Sequence, residues 1–356
     1  MTSNSRISAI MATYNGEDTI GDCLRLLLGQ DYPIDNIELI IADGGSTDET
    51  LNIIKQYQNK HPNVIQLINN PEKSKVGKGK GADVASRKAT GDLILMIDQD
   101  NLLIQKNWLK EMVRILEDND SIVSVQSLTS VPEEGSIMDK YLGAVGTEDP
   151  FSVVFSLKSQ VILHPHKFHY NESGKYFTYN PDRNNYYYAG DNGFLMRRKA
   201  FVENGGYTQD TDNFYRMALS NNSYTVAIPT ELFIFHKTSS KLFEFIKKRG
   251  YYARYYLRAN IKDRDVNWIS FRKNTFKHNV SLIGSVVSSL VILPRLYEGI
   301  RMAMRTKETA WLIHPIVSFA LTLNYICSFV AVRVFKVGVC APADDKCAGR
   351  NGRAGE

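Results

Sequence analysis

Cysteine is scarce in this chain. Only Cys23, Cys327, Cys340 and Cys347 occur in 356 residues. Four scattered thiols give neither a disulfide framework nor a zinc-site spacing, and they fit a reducing compartment. A secretory leader pattern is also missing: polar residues after Met1 run straight into Ile7-Ser8-Ala9-Ile10-Met11. The familiar phosphate-loop motifs are missing too. The one basic glycine-rich run, Val76-Gly77-Lys78-Gly79-Lys80-Gly81, matches neither a P-loop nor a Gly-x-Gly-x-x-Gly fingerprint, and it reads as a flexible loop leading to a helix near residues 82–89. Long uncharged runs are limited to residues 279–294 and 309–332.

What is present is ordinary for a globular protein: 43% hydrophobic and 23% charged residues, in a length that suits one large domain and an appendage. The net charge of +5 conceals an asymmetry. Residues 1–236 hold 22 Lys/Arg against 30 Asp/Glu, whereas residues 237–277 hold 12 against 3. A basic stripe is therefore laid on an acidic body.

Short apolar runs alternate with helical patterns through the first 130 residues. Strands are expected at 7–11, 37–41, 64–68, 93–97 and 122–126, and helices at about 19–28, 49–57 and 108–116. This alternation predicts an α/β fold with a doubly wound, largely parallel sheet. The turns at 12–17, 42–48 and 98–101 each leave the C-terminal end of a strand, so they should open on one rim, where such sheets bind ligands.

Leu93-Ile94-Leu95-Met96-Ile97-Asp98-Gln99-Asp100 is the most telling stretch. A doubly buried strand ends in two acids one residue apart. Carboxylates this close repel unless a cation or a set of donors lies between them. Mg²⁺ or Mn²⁺ prefers such ligands and carries phosphates as co-ligands. Lys78 and Lys80 would add positive charge for a diphosphate. Further on, Tyr186-Tyr187-Tyr188-Ala189-Gly190-Asp191-Asn192-Gly193 sets aromatic faces beside a carboxylate and an amide, a combination suited to sugars. Tyr188, Asp191 and Asn192 are the candidate acceptor contacts.

Thr13-Tyr14-Asn15, Asp43-Gly44-Gly45-Ser46-Thr47-Asp48, Asp98-Gln99-Asp100, Gly205-Gly206-Tyr207 and Gln209-Asp210 follow one another in an order and spacing that resembles glycosyltransferase family 2. The resemblance covers about residues 6–240. It implies a GT-A fold binding a nucleoside-diphosphate sugar, and an inverting single displacement. It implies nucleotide-sugar contacts from Thr13, Tyr14, Asn15, Glu17, Asp43, Lys78, Lys80, Asp98 and Gln99. It sets Asp98 near the ribose and Asp100 on the metal, with His236 as a further ligand and Asp210 as the general base; the closeness of the two acids makes Asp98 a metal candidate as well. Two departures stand out: Gly44 where many members carry a second acid, and Gln209 where Glu usually precedes the catalytic Asp.

Four parts follow from this reading: a catalytic domain over 1–236, with a nucleotide-sugar half to about 130 and an acceptor half after it; a basic aromatic helical segment, 237–277; apolar helices, 278–337; and a disordered tail, 338–356. Lys and Arg interleaved with Phe and Tyr suit an anionic membrane surface better than nucleic acid beside a transferase rim. The loop at 295–308 carries Arg295, Arg301, Arg305 and Lys307. That pattern disfavours a two-span hairpin, which would send those charges across the membrane. Helices lying in the interface of the cytoplasmic leaflet, a re-entrant hairpin, or a homo-oligomer contact are expected instead. The expected acceptor is a lipid-linked glycan, a polyprenyl phosphate or a surface polysaccharide. The rival readings are a nucleotidyltransferase that makes the sugar nucleotide, and an inactive scaffold subunit.

Overall fold

The computed structural model describes residues 5–70, 78–131, 135–146, 157–182, 190, 192–207, 212–220, 224–236, 241–258 and 276–336. The first half alternates as the hydrophobic pattern predicts: β1 (Ile7–Thr13), α1 (Ile20–Leu28), β2 (Ile37–Asp43), α2 (Thr50–Lys60), β3 (Ile65–Asn69), α3 (Lys78–Ser86), β4 (Leu93–Met96), β5 (Asn101–Leu102), α4 (Trp108–Asp118), β6 (Ile122–Gln126) and β7 (Leu128–Ser130). Then come α5 (Ile137–Val145), α6 (Leu157–Leu163), β8 (His169–Tyr170), β9 (Tyr176–Tyr179), β10 (Phe194–Arg197), α7 (Arg198–Glu203), α8 (Asp212–Leu219), β11 (Thr225–Pro229) and β12 (Phe233–His236). Four longer elements close the described chain: α9 (Leu242–Arg258), α10 (Phe276–Val291), α11 (Leu293–Thr306) and α12 (His314–Arg333).

Nine strands form one sheet in the order β3-β2-β1-β4-β10-β6-β11-β9-β8. Seven run the same way; β10 and β9 run opposite to them. β1 and β4 are buried on both faces, and the two-residue period splits their side chains. Ile7, Ala9, Met11, Leu93 and Leu95 pack with α1, α2 and α4, while Ile10, Ile94 and Met96 pack with α3, α7 and α8. A second, three-stranded sheet, β5-β12-β7, stands beside the rim.

One expectation fails locally. The Gly-Lys run is not all loop, because α3 begins at Lys78 and ends at Ser86. Glycine disfavours helix, but tertiary packing decides here. α3 lies close on β1, and a Cβ at Gly81 would come within 2.8 Å of Ala12 Cβ. The 71–77 stretch before it and the tail expected to be disordered both lie outside the described residues.

The C-terminal helices build a third core with α5: Tyr141, Val145, Phe245, Met302, Trp311, Val317 and Leu321. Asn324 of α12 donates to the Ile246 carbonyl, and Arg254 of α9 reaches Ser328 Oγ at 3.3 Å. Part of the basic stripe is thus turned inward on α12. α10 and α11 meet at 88°, with Ile292 at φ +69 and Pro294 just inside α11. A β-branched residue in that region is strained, and proline cannot continue the α10 ladder. Among the described residues, 309–333 is the one helical stretch long and apolar enough to cross a membrane, at mean hydropathy 1.8, yet 39% of that window is buried inside the protein.

A polar knot fastens the bend. Arg295 donates to Glu298 at 2.7 Å and to Ser289 Oγ at 3.1 Å; buried His314 contacts Glu298 at 3.3 Å and Tyr141 at 2.7 Å. Burial alone would raise the Glu298 carboxyl, but His314 and then Arg295 overcome it and hold it down from 4.5 to about 2. Glu298→Gln is expected to lower the stability of this helical unit by about 1–2 kcal/mol, less than a fully buried pair because part of the side chain meets water. A depressed carboxyl stabilises above its unfolded value and stops doing so as pH falls through its folded value. The wild-type advantage should therefore fade between pH 4.5 and about 2. Denaturant titration followed by Trp311 fluorescence reads it; equal midpoints at pH 7 would refute the contribution.

Candidate active site

The rim is assembled by side chains that tie one strand exit to the next. Gln99, after β4, accepts from Thr13 Oγ1 and from the Tyr14 amide at 3.1 Å, and its own amide returns to the Tyr14 carbonyl at 3.4 Å. A Cβ at Gly16 would meet this Gln99 amide, which would have to shift and give up its bonds to the turn. Asn15 sits at φ +44; its amide donates to Ser46 Oγ at 2.9 Å and its side-chain oxygen accepts from the Thr47 amide at 2.9 Å. Buried Asp43 accepts from the Gly45 amide at 2.8 Å and from Ser46 Oγ at 2.6 Å. Its carboxylate therefore shapes the turn after β2 while lying at the rim. Glu17 accepts from the Glu49 amide at 2.9 Å, and Asp48 from the Thr50 amide at 3.1 Å. Both cap the start of α2, an ordinary use of acids.

Asp100 and His236 come together by strand register. β12 pairs antiparallel with β5, setting His236 opposite Asn101. The result is a contact of 3.3 Å between His236 Nε2 and Asp100 Oδ2, with both side chains largely covered. Asp98 precedes Asp100 by two residues in the same turn, its amide held by Asn101 Oδ1 at 2.8 Å. Buried Cys23 reports the local field: desolvation comes first, then the charges of Asp100 and Asp98, in raising its thiol well above the usual range. Among the described residues no group of three or more His, Cys, Asp or Glu side chains is placed to hold a metal ion, so the structure brings Asp100 and His236 together but does not draw Asp98 in as a third ligand. Lys80 lies on the first turn of α3 and is half-buried; α3 packs on β1 and β2, which brings the start of that helix, with Lys78, to this rim.

The acceptor candidates are reached through Gln126, a residue that the sequence patterns do not single out. At the end of β6 it accepts from the Gly190 amide at 2.9 Å and donates to the Asn192 carbonyl at 3.1 Å. The Gly193 amide then donates to the Met96 carbonyl at 2.8 Å, which docks this turn beside the exit of β4. Asn192 is at φ +38, and its side-chain Oδ1 is buried with no hydrogen-bond partner among the described residues. Such an orphan acceptor is costly unless a ligand hydroxyl meets it. Tyr188, Asp191 and Asp210 lie outside the described residues. The flanks of Asp210 are fixed: Tyr207 is buried, Arg216 of α8 donates to the carbonyls of Asn204 and Gly206, and Phe214 lies against Gly190.

The model of glycosyl transferase family 2 matches residues 8–205, more than half of the chain. The chain belongs to that family. The matched region spans β1 to the Gly205 turn and includes Asp43, Asp98 and Asp100; Asp210 and His236 lie beyond it. Family relatives include the poly(ribitol-phosphate) beta-N-acetylglucosaminyltransferase TarS of Staphylococcus aureus, 34% identical over 131 residues, or 36% of this chain and 22% of that one. Another is the dolichyl N-acetyl-alpha-D-glucosaminyl phosphate 3-beta-D-2,3-diacetamido-2,3-dideoxy-beta-D-glucuronosyltransferase of Methanococcus voltae, 34% identical over 127 residues, 33% of this chain and 37% of that one. The chain thus matches about a fifth to two-fifths of these relatives' own lengths. Among solved structures, the mannosyltransferase PcManGT of Pyrobaculum calidifontis, in complex with GDP-Man and Mn²⁺, superposes with a TM-score of 0.55 at 16% identity, covering 91% of this chain and 88% of that one. The fold is accordingly of the GT-A type, mixed α/β with a large and mostly parallel central sheet.

Proposed function

We propose that this protein transfers a sugar, with inversion, from a nucleoside-diphosphate sugar to a lipid-linked or polysaccharide acceptor at a membrane surface. The observation that carries the reading is the Asp100–His236 contact, on the rim that also holds Asp43, α3 and the Asn192 turn. Carboxylate oxygens and an imidazole nitrogen are donors that fit Mn²⁺ or Mg²⁺. Asp100 and His236 would hold such an ion as placed, and Asp98, two residues before Asp100, would join them only if its side chain turned toward the pair. When bound, it supplies Lewis-acid stabilisation to the leaving diphosphate.

The chain's own residues do the rest. Lys78 and Lys80, at the start of α3, add positive charge and a helix N-terminus for the diphosphate. Thr13, Tyr14 and Asn15 line the nucleoside side of the rim, in a turn kept rigid by Gln99. Asn192 Oδ1, unpaired among the described residues, offers an acceptor to a sugar hydroxyl. Asp210 takes the proton from the attacking hydroxyl. The membrane part of the reading is supported by bare apolar side chains on the C-terminal helices, including Ile283 at 63%, Tyr297 at 70%, Met304 at 78% and Ile316 at 57% exposure, with Arg301, Arg305 and Lys307 among them. Apolar area bordered by cations suits an anionic lipid surface on the cytoplasmic side, and a homo-oligomer contact would cover the same area.

Calorimetry with UDP, GDP and TDP tests the donor half. One nucleotide should bind at least about tenfold more tightly with Mn²⁺ than with a chelator, the scale of one lost charge-assisted contact. Absence of binding by all three to folded protein would count against the reading.

A further inference from the structure

A cavity of about 780 Å³ opens at the end of β7, and none of the candidate nucleotide-sugar residues lines it. Its walls come from distant parts of the chain. Ser130 and Val131 supply the end of β7, Lys140 comes from α5, Lys158 from α6, and Arg305 and Glu308 from the end of α11 and the residues after it. β7 pairs with β12 so that Ser130 stands opposite Phe235, the residue before His236. The cavity therefore begins one strand away from the Asp100–His236 pair.

Three cations face one carboxylate there. Glu308 is partly engaged, accepting from the Ala310 amide at 3.0 Å. Lys158 donates to the Gly143 carbonyl at 2.9 Å, and an ammonium has two further donors to give. Burial pushes the Lys158 amine below its ordinary value against the pull of Glu308, so its charge is under-compensated. Neither Lys140 nor Arg305 pairs with a carboxylate among the described residues. The surroundings are positive as well. His164, after α6, is pushed below its ordinary value by desolvation first, then by Lys167, His166, Arg305 and Arg301. Among the described lining residues the net excess of two positive charges matches the −1.5 to −2 of a phosphate monoester. Met304, one residue from Arg305, is 78% exposed, so an apolar surface adjoins this basic cavity.

We propose that this cavity is an anion subsite of the acceptor, holding the phosphate that joins a glycan to its lipid or to a phosphodiester backbone, with Lys140, Lys158 and Arg305 as its donors. The inference rests on the glycosyltransferase reading and narrows its acceptor to a phosphate-bearing one. The sequence gives no hint of it, because the three cations are far apart in the chain and converge only when α5, α6 and α11 pack.

The test compares wild type, Lys140→Gln/Arg305→Gln and the charge-keeping Lys140→Arg/Arg305→Lys. Each full-length protein is titrated with farnesyl phosphate, with a glycerol-phosphate oligomer, and with farnesol as the uncharged control, and separately with nucleotide and Mn²⁺. Wild type should bind at least one phosphate probe and prefer farnesyl phosphate to farnesol if the source is a lipid. The Gln pair should weaken that probe about tenfold or more, as expected for two lost charge-assisted hydrogen bonds, and the charge-keeping pair should restore most of it. Weakening confined to farnesyl phosphate assigns a lipid phosphate, and weakening confined to the oligomer assigns a polymer backbone. Unchanged affinities with nucleotide binding intact would overturn the subsite alone. Wild type that binds no nucleotide would overturn the transferase reading and the inference with it.

Discussion

Asp210→Asn is expected to lower kcat for transfer to an alcohol acceptor by about 10³-fold while donor affinity stays within about twofold, because general-base catalysis contributes roughly 10²–10⁴ in rate. The residue belongs to a short segment whose two ends are pinned. Tyr207 is buried on one side, and on the other α8 is fastened by Arg216 to the carbonyls of Asn204 and Gly206. Phe214 presses on Gly190, whose φ of +97 and lack of a Cβ permit the approach. The same α8 therefore touches the turn that presents Asn192. A proton is taken only as the acceptor attacks, so the loss should fall on kcat rather than on donor binding. A phosphate acceptor is already ionised, and the drop would then be below about tenfold. Single-turnover rates with each acceptor type measure this, and a variant with near-normal turnover on an alcohol would remove Asp210 from the mechanism.

Asp100→Asn is expected to reduce kcat/KM by about 10²–10³-fold and to abolish the preference for Mn²⁺ over a chelator. Lewis-acid stabilisation of a leaving diphosphate contributes several kcal/mol, and each 1.36 kcal/mol is tenfold in rate. The substitution keeps the size and the contact with His236 but removes the negative charge that would hold a cation. Asp98 remains, which sets the expected loss below complete inactivity. Nucleotide titrations with and without Mn²⁺, beside the rate assay, separate lost metal binding from a distorted rim. Unchanged metal dependence would show that Asp100 is not a ligand.

Much of this was legible in the sequence. The buried runs at 7–11, 37–41 and 93–97 identify three adjacent parallel strands, and the acids and glycines after them identify the rim, because strand ends and tight turns leave local signals. His236 could be singled out by position, but its meeting with Asp100 depends on the pairing of β12 with β5, only two residues long, which no periodicity reveals. Gln126 carries the Gly190–Asn192 turn through side-chain hydrogen bonds, and a lone Gln at a strand end has no local signature. The Gly-Lys run misleads in the other direction: its composition opposes helix, yet close packing of Gly81 on Ala12 draws it into α3. The C-terminal helices pack Phe245 and Trp311 against Tyr141 of α5, a union of distant segments that segment-by-segment reading does not supply.

The most direct measurement of the central claim is nucleoside diphosphate release from UDP-, GDP- and TDP-sugars with Mn²⁺, in the presence and absence of a lipid extract. The prediction is release from one donor, raised by lipid, lowered about 10²–10³-fold in Asp100→Asn and, where the acceptor is an alcohol, about 10³-fold in Asp210→Asn. Folded protein that releases no diphosphate from any donor, with or without lipid, would contradict it and favour a non-catalytic role for this fold.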